Sequence, residues 1–117
     1  MENHPNLTPE VNAAIRQSEI DGGIWWDTVD PGFRALVRTK SRTYIFEKRK
    51  DDETYISGHP KYCPNPVQAR IHGSTWGGSM IKIGWIGVGM RLEFSTVLHP
   101  KAITTTTIQD VLLEPIQ

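Results

Sequence analysis

Between residues 67 and 94 apolar side chains recur at every second position, a rhythm that fits pleated strand and not helix. Val67, Ala69 and Ile71 alternate with Gln68, Arg70 and His72. Ile81, Ile83 and Trp85 then hold odd positions, whereas Ile86, Val88, Met90, Leu92 and Phe94 hold even ones. The alternation slips by one residue at Trp85-Ile86. In a strand such a slip turns every later side chain to the other face, so a β-bulge or a tight turn is expected between Gly84 and Gly87. Residues 73–79, Gly-Ser-Thr-Trp-Gly-Gly-Ser, read as a glycine-rich loop around a large aromatic.

The same period appears earlier. Ala35, Val37 and Thr39 alternate with Arg34, Leu36 and Arg38, and Tyr44, Phe46 and Lys48 with Thr43, Ile45 and Glu47. Two strands joined by the polar residues 40–42 are expected, with residues 53–57 pairing back on the second of them. Residues 58–66 hold three prolines and must be loop. Residues 98–101 and the threonine run 104–107 favour extended chain. The ending is ambiguous, since Ile108, Val111 and Leu112 fit helical spacing while 111–113 fit a buried strand; the strand is preferred.

Ahead of all this, residues 1–7 read as a flexible N-terminus. Thr8-Pro9-Glu10 has the signature of a helix start, and Asp21-Gly22-Gly23 that of a stop. The expected fold is therefore mainly β: a small antiparallel β-barrel or roll of six to eight short strands, with a short N-terminal helix, forming one β-rich domain over 8–117. A chain of 117 residues has room for one core, and its four Trp, three Tyr and three Phe supply much buried area from few residues.

One cysteine, Cys63, cannot form an internal disulfide, and no run approaches the length of a membrane span. A cytoplasmic protein that neither enters a membrane nor carries a cofactor is expected. Formal net charge is zero, yet its distribution is uneven: residues 1–32 hold six acidic side chains against Arg16, and 33–50 hold seven basic ones against Glu47. The two segments can neutralise each other.

Three sets of side chains could carry function. Trp76, Ser74 and Ser79 in the glycine-rich segment, with Arg70 and His72 on the polar face of the preceding strand, form a candidate ligand or partner site. Arg34, Arg38, Lys40 and Arg42 with Tyr44 combine cations for phosphates with a ring for stacking, the pairing used by β-barrels that bind single strands. His59 and Cys63, spaced His-x3-Cys, make half of a metal element, and with His72 they could form a metal- or thiol-dependent active site. No phosphate-loop or nucleophile-elbow spacing occurs. The leading expectation is a non-catalytic binding module acting through protein–protein contacts, regulator- or inhibitor-like, with a protein partner or self-association favoured by the surplus of Trp and Met. A nucleic-acid-binding barrel using 33–50, and an enzyme centred on His59, Cys63 and His72, are the alternatives.

Overall fold

The structure, a computed structural model, describes residues 22–76 and 80–116. The N-terminal segment with its expected helix, and Gly77, Gly78 and Ser79, lie outside the described residues. The described residues form nine strands: β1 Gly23–Trp25, β2 Phe33–Thr39, β3 Thr43–Lys48, β4 Thr54–Ser57, β5 Val67–Trp76, β6 Met80–Ile83, β7 Trp85–Gly87, β8 Arg91–Thr96 and β9 Ile103–Pro115. Among the described residues there is no α-helix, only 3-10 turns at Trp26–Thr28 and Lys50–Asp52.

Six strands run antiparallel in the order β4-β3-β2-β9-β8-β5, and β4 pairs back onto β5 to close them into a barrel. Closure leaves those strands no bare edge. β6 folds back on the far half of β5, beyond the reach of β4, and β1 with β7 makes a separate ribbon lying against β5, β8 and β9. The barrel is thus an antiparallel β-barrel with added strands, as the alternation predicts.

Ala35, Val37 and Thr39 of β2 and Tyr44, Phe46 and Lys48 of β3 all point inward, to meet Ile56, Leu92, Phe94, Ile103 and Ile108. Phe46 stands at the centre. Its ring makes edge contacts with Trp26 at 6.2 Å and Phe94 at 5.9 Å between centroids, and Tyr44 lies 6.5 Å away.

The slip at Trp85-Ile86 is a tight turn. Gly84 takes φ +75°, its N–H donates to the His72 carbonyl at 3.0 Å, and the chain leaves β6 to enter β7. Past the turn Ile86, Met90, Leu92 and Phe94 are all buried. Before it the outcome differs from the expectation: Ile81 and Ile83 face solvent, because β6 is an edge strand added to β5 outside the closed barrel. The expected loop over residues 73–79 is also corrected. Gly73 to Trp76 continue β5, which absorbs the change of face through a register shift between Ile71 and Gly73.

The ending is strand from Ile103 to Pro115, although Leu112 and Leu113, expected to be buried, are 54% and 41% exposed, and its helix-like spacing has a local cause. β9 shifts register opposite Arg38/Thr39 and again opposite Arg91/Glu93, so its core-facing residues step from Thr105 to Ile108 to Val111. Two bulges turn a period of two into steps of three. Residues 97–102, expected to be partly extended, form the turn between β8 and β9.

Lys48 is the exception among the inward side chains. It is 4% exposed, its ammonium donates to the Trp26 carbonyl and it lies 4.8 Å from the Trp26 ring. Burial lowers its pKa from the usual 10.5, and Asp52, Asp27 and Asp30 oppose that shift. The folded protein therefore holds this proton less tightly than the unfolded chain. Below the folded value the charged amine is a penalty on folding, which is relieved as pH rises from that value towards 10.5. Lys48→Met, free of this titration, is expected to lose the corresponding rise. The difference in urea midpoint between natural chain and variant should drift in favour of the natural chain between pH 7 and 10.5; a flat difference would contradict the argument.

Candidate functional site

The outer face shared by β5 and β8 holds the most organised polar cluster. β5 and β8 are antiparallel, with Arg70 opposite Ser95 and Gly73 opposite Glu93. Because the register shifts between Ile71 and Gly73, His72 sits in the irregularity with its ring between the two side chains of β8. Its Nδ1 lies 3.0 Å from Glu93 Oε2 and its Nε2 lies 3.0 Å from Ser95 Oγ. The side chains of His72 and Glu93 are each 27% exposed, shielded but reachable. Ser95 and Arg70, with Gln68, Ala69, Thr96, Val97 and Pro100, line a groove of about 300 Å³.

Hydrogen-bond chemistry fixes the proton positions in the neutral ring. An ionised carboxylate only accepts, so Nδ1–H donates to Glu93 and the bare Nε2 accepts the Ser95 hydroxyl proton. Sequence reasoning singled out Arg70 and His72 but missed Glu93 and Ser95. The available signal was their i, i+2 spacing, which puts both on one face of a strand; what brings His72 between them is the β5–β8 register, a long-range fact.

A second cleft, about 590 Å³, opens where β5 turns away from β4 to pair with β6. Trp26, Lys48, Thr54 and Ile83 line it, Asp27, Asp51, Asp52 and Glu53 contribute carboxylates, and Gln68, Ala69 and Arg70 are shared with the smaller groove. Trp26 is fixed there by its indole N–H, which donates to Thr54 Oγ1 at 2.8 Å.

The other sequence candidates separate. Ser74 is completely buried: its hydroxyl donates to the Trp85 carbonyl at 2.5 Å and accepts from Gly87 N–H at 3.2 Å, tying the β1–β7 ribbon to β5. Trp76, at the end of β5, is 44% exposed, and Ser79 lies outside the described residues. In the basic segment, Arg34 is paired with Glu114 of β9 at 2.5 Å, Arg38 stands opposite Asp110, and Tyr44 is 4% exposed with its ring in the core, closed to any base. Lys40 is exposed and Arg42 partly so, at the β2–β3 turn. Among the described residues the carboxylates opposite β2 are Glu114 and Asp110 of β9 and Glu47 of β3.

His59 and Cys63 face each other across their own loop as an isolated bridge. Cys63 is buried, which pushes its thiol pKa up, with the His59 backbone and Arg42 opposing. Burial, then Arg42 and Lys61, lowers the His59 pKa, consistent with an Nδ1 that accepts from the N–H groups of Lys61 and Tyr62 at 3.0 and 3.3 Å. His72 is engaged elsewhere, with Glu93 and Ser95. Among the described residues no three His, Cys, Asp or Glu side chains are grouped to hold a metal ion.

Large apolar side chains are exposed on both faces of the β5–β6 pair, Ile81 and Ile83 on one and Trp76 on the other. Ile83 is 76% exposed, Ile81 40% and Trp76 44%, and Trp25 of the adjoining ribbon is 45% exposed. Trp25 packs on Trp85 at 5.0 Å between centroids, and the Lys82 ammonium lies over both rings at 5.0 and 4.6 Å.

The chain matches no protein-family model, no curated protein and no solved structure.

Proposed function

We propose that this barrel is a cytoplasmic binding module that acts through protein–protein contacts, and that the β6 face carrying Ile81 and Ile83 meets the same surface of a second copy of the chain. The exposure of Ile81 and Ile83 side by side on one face of the edge strand β6 carries the reading. Soluble monomers rarely leave large apolar side chains together in water, since each Å² buried is worth roughly 25 cal/mol. A second copy fits as occupant because the net charge is zero, so two chains meet without long-range repulsion. An edge strand can also meet the same strand of a second copy, the self-complementary contact that a two-fold requires.

Light scattering across a dilution series tests this. A dimer that dissociates on dilution is expected, and Ile83→Asp should weaken it by about 30-fold or more, as removal of a central apolar anchor does. A strict monomer at every concentration, or a dimer indifferent to Ile83→Asp, would refute it.

A further inference from the structure

We propose that Ser95 is a nucleophile activated by His72, with Glu93 as the positioning residue, and that the groove beside it takes small carboxylic esters. This inference stands apart from the dimer reading and uses a different face of the barrel.

The geometry supplies what an acyl-transfer site needs from its side chains. A nucleophilic hydroxyl must give its proton to a base within hydrogen-bond reach, and the base must be held in the right tautomer by a third group. Ser95 Oγ to His72 Nε2 is 3.0 Å and His72 Nδ1 to Glu93 Oε2 is 3.0 Å. Since the carboxylate can only accept, it places the ring proton on Nδ1 and turns the basic nitrogen towards the hydroxyl. The imidazolium formed during reaction would sit beside that same carboxylate. Arg70, directly opposite Ser95 across the strands and lining the same groove, brings a cation to where an ester oxygen would gain charge. Strand backbone carries all four residues, so their spacing is held by the barrel.

The reaction balances with water alone. Ser95 Oγ bonds to the ester carbonyl carbon as its proton passes to His72 Nε2. The carbon–oxygen bond to the alcohol then breaks, and His72 returns the proton to the leaving oxygen. Water, deprotonated by the same nitrogen, attacks the acyl group on Ser95 and releases the carboxylic acid, and the proton returns to Ser95.

A fluorophosphonate probe reads the first step directly, because Oγ bonds to phosphorus, fluoride leaves and the proton goes to His72. Intact-mass analysis of the folded chain is expected to show one adduct, mapped to Ser95 and absent in Ser95→Ala. His72→Gln, which can still hydrogen-bond between the strands, should slow labelling by about 100-fold or more. Glu93→Gln should slow it as well, and Glu93→Asp should restore part of the rate, whereas a merely structural tie would show its effect in the thermal midpoint alone. No adduct on the folded protein, an adduct on another residue, or a rate unchanged by His72→Gln would each overturn the assignment. None of these results depends on whether the chain dimerises.

Discussion

Phe46→Ala is expected to lower the unfolding free energy by about 3–5 kcal/mol, the range for deleting a fully buried aromatic ring and leaving a cavity. Phe46 has no exposed surface and lies on β3 with its ring against Trp26, Tyr44 and Phe94. Those neighbours belong to the 3-10 turn, β3 and β8, so the ring joins the barrel wall to the segment that closes its end. Aromatic edge contacts add about 0.5–1.5 kcal/mol beyond area alone, and the surrounding rings are fixed by strand backbone and by the Trp26–Thr54 hydrogen bond, which restricts collapse into the void. A domain of this size has a total stability of roughly 5–15 kcal/mol, so the loss takes a large share of it. Urea unfolding followed by tryptophan fluorescence should show the midpoint falling with an unchanged slope. A loss below about 1 kcal/mol would mean that Phe46 is not the hub its contacts describe.

The alternation that identified β2 and β3 was legible because those strands run without a bulge from Phe33 to Arg38 and from Thr43 to Lys48, and every second residue then meets the core. It even set Lys48 on the inner face. The same parity placed Tyr44 inside, so a stacking role for that ring conflicted with the strand carrying it, and burial decides the matter. Where the backbone irregularity is fixed by a partner strand, the chain alone gives no notice of it. β9 hid two bulges behind helix-like steps, and β5 hid one between Ile71 and Gly73, where glycine suggested a loop.

The candidate sites divide along the same line. His72 and Arg70 were visible as the polar face of one strand. Their meaning depends on Glu93 and Ser95, some twenty residues later, and only the register between β5 and β8 brings them into contact. Of the neutralisation expected between residues 1–32 and 33–50, the described residues show Asp27 and Asp30 acting on Lys48, and Glu114 and Asp110 are added opposite β2 from the end of the chain. Exposure of Ile81 and Ile83 could not be read from alternation, which gives a face its character without saying whether anything covers it.

Gly73→Ala is expected to cost about 3 kcal/mol or more, by adding overpacking to a strained backbone. Gly73 has φ +147°, and a Cβ built there would lie 2.1 Å from the Lys82 carbonyl oxygen and 2.9 Å from the Ile83 Cα. Both obstacles are backbone of the paired strand, so relief requires β6 to move away from β5. Gly89→Ala is the control. That residue also has positive φ, +87°, but nothing lies within 4 Å of its added Cβ, so only the conformational term of about 1–2 kcal/mol applies. The excess of the first loss over the second, read from urea titrations of the two variants, therefore measures the close approach of β5 to β6. Moving β6 also pulls on the Gly84 N–H bond to the His72 carbonyl, so Gly73→Ala should slow labelling of Ser95 while Gly89→Ala leaves it unchanged. Equal losses in the two variants would show that β6 is held too loosely to position either the exposed isoleucines or His72.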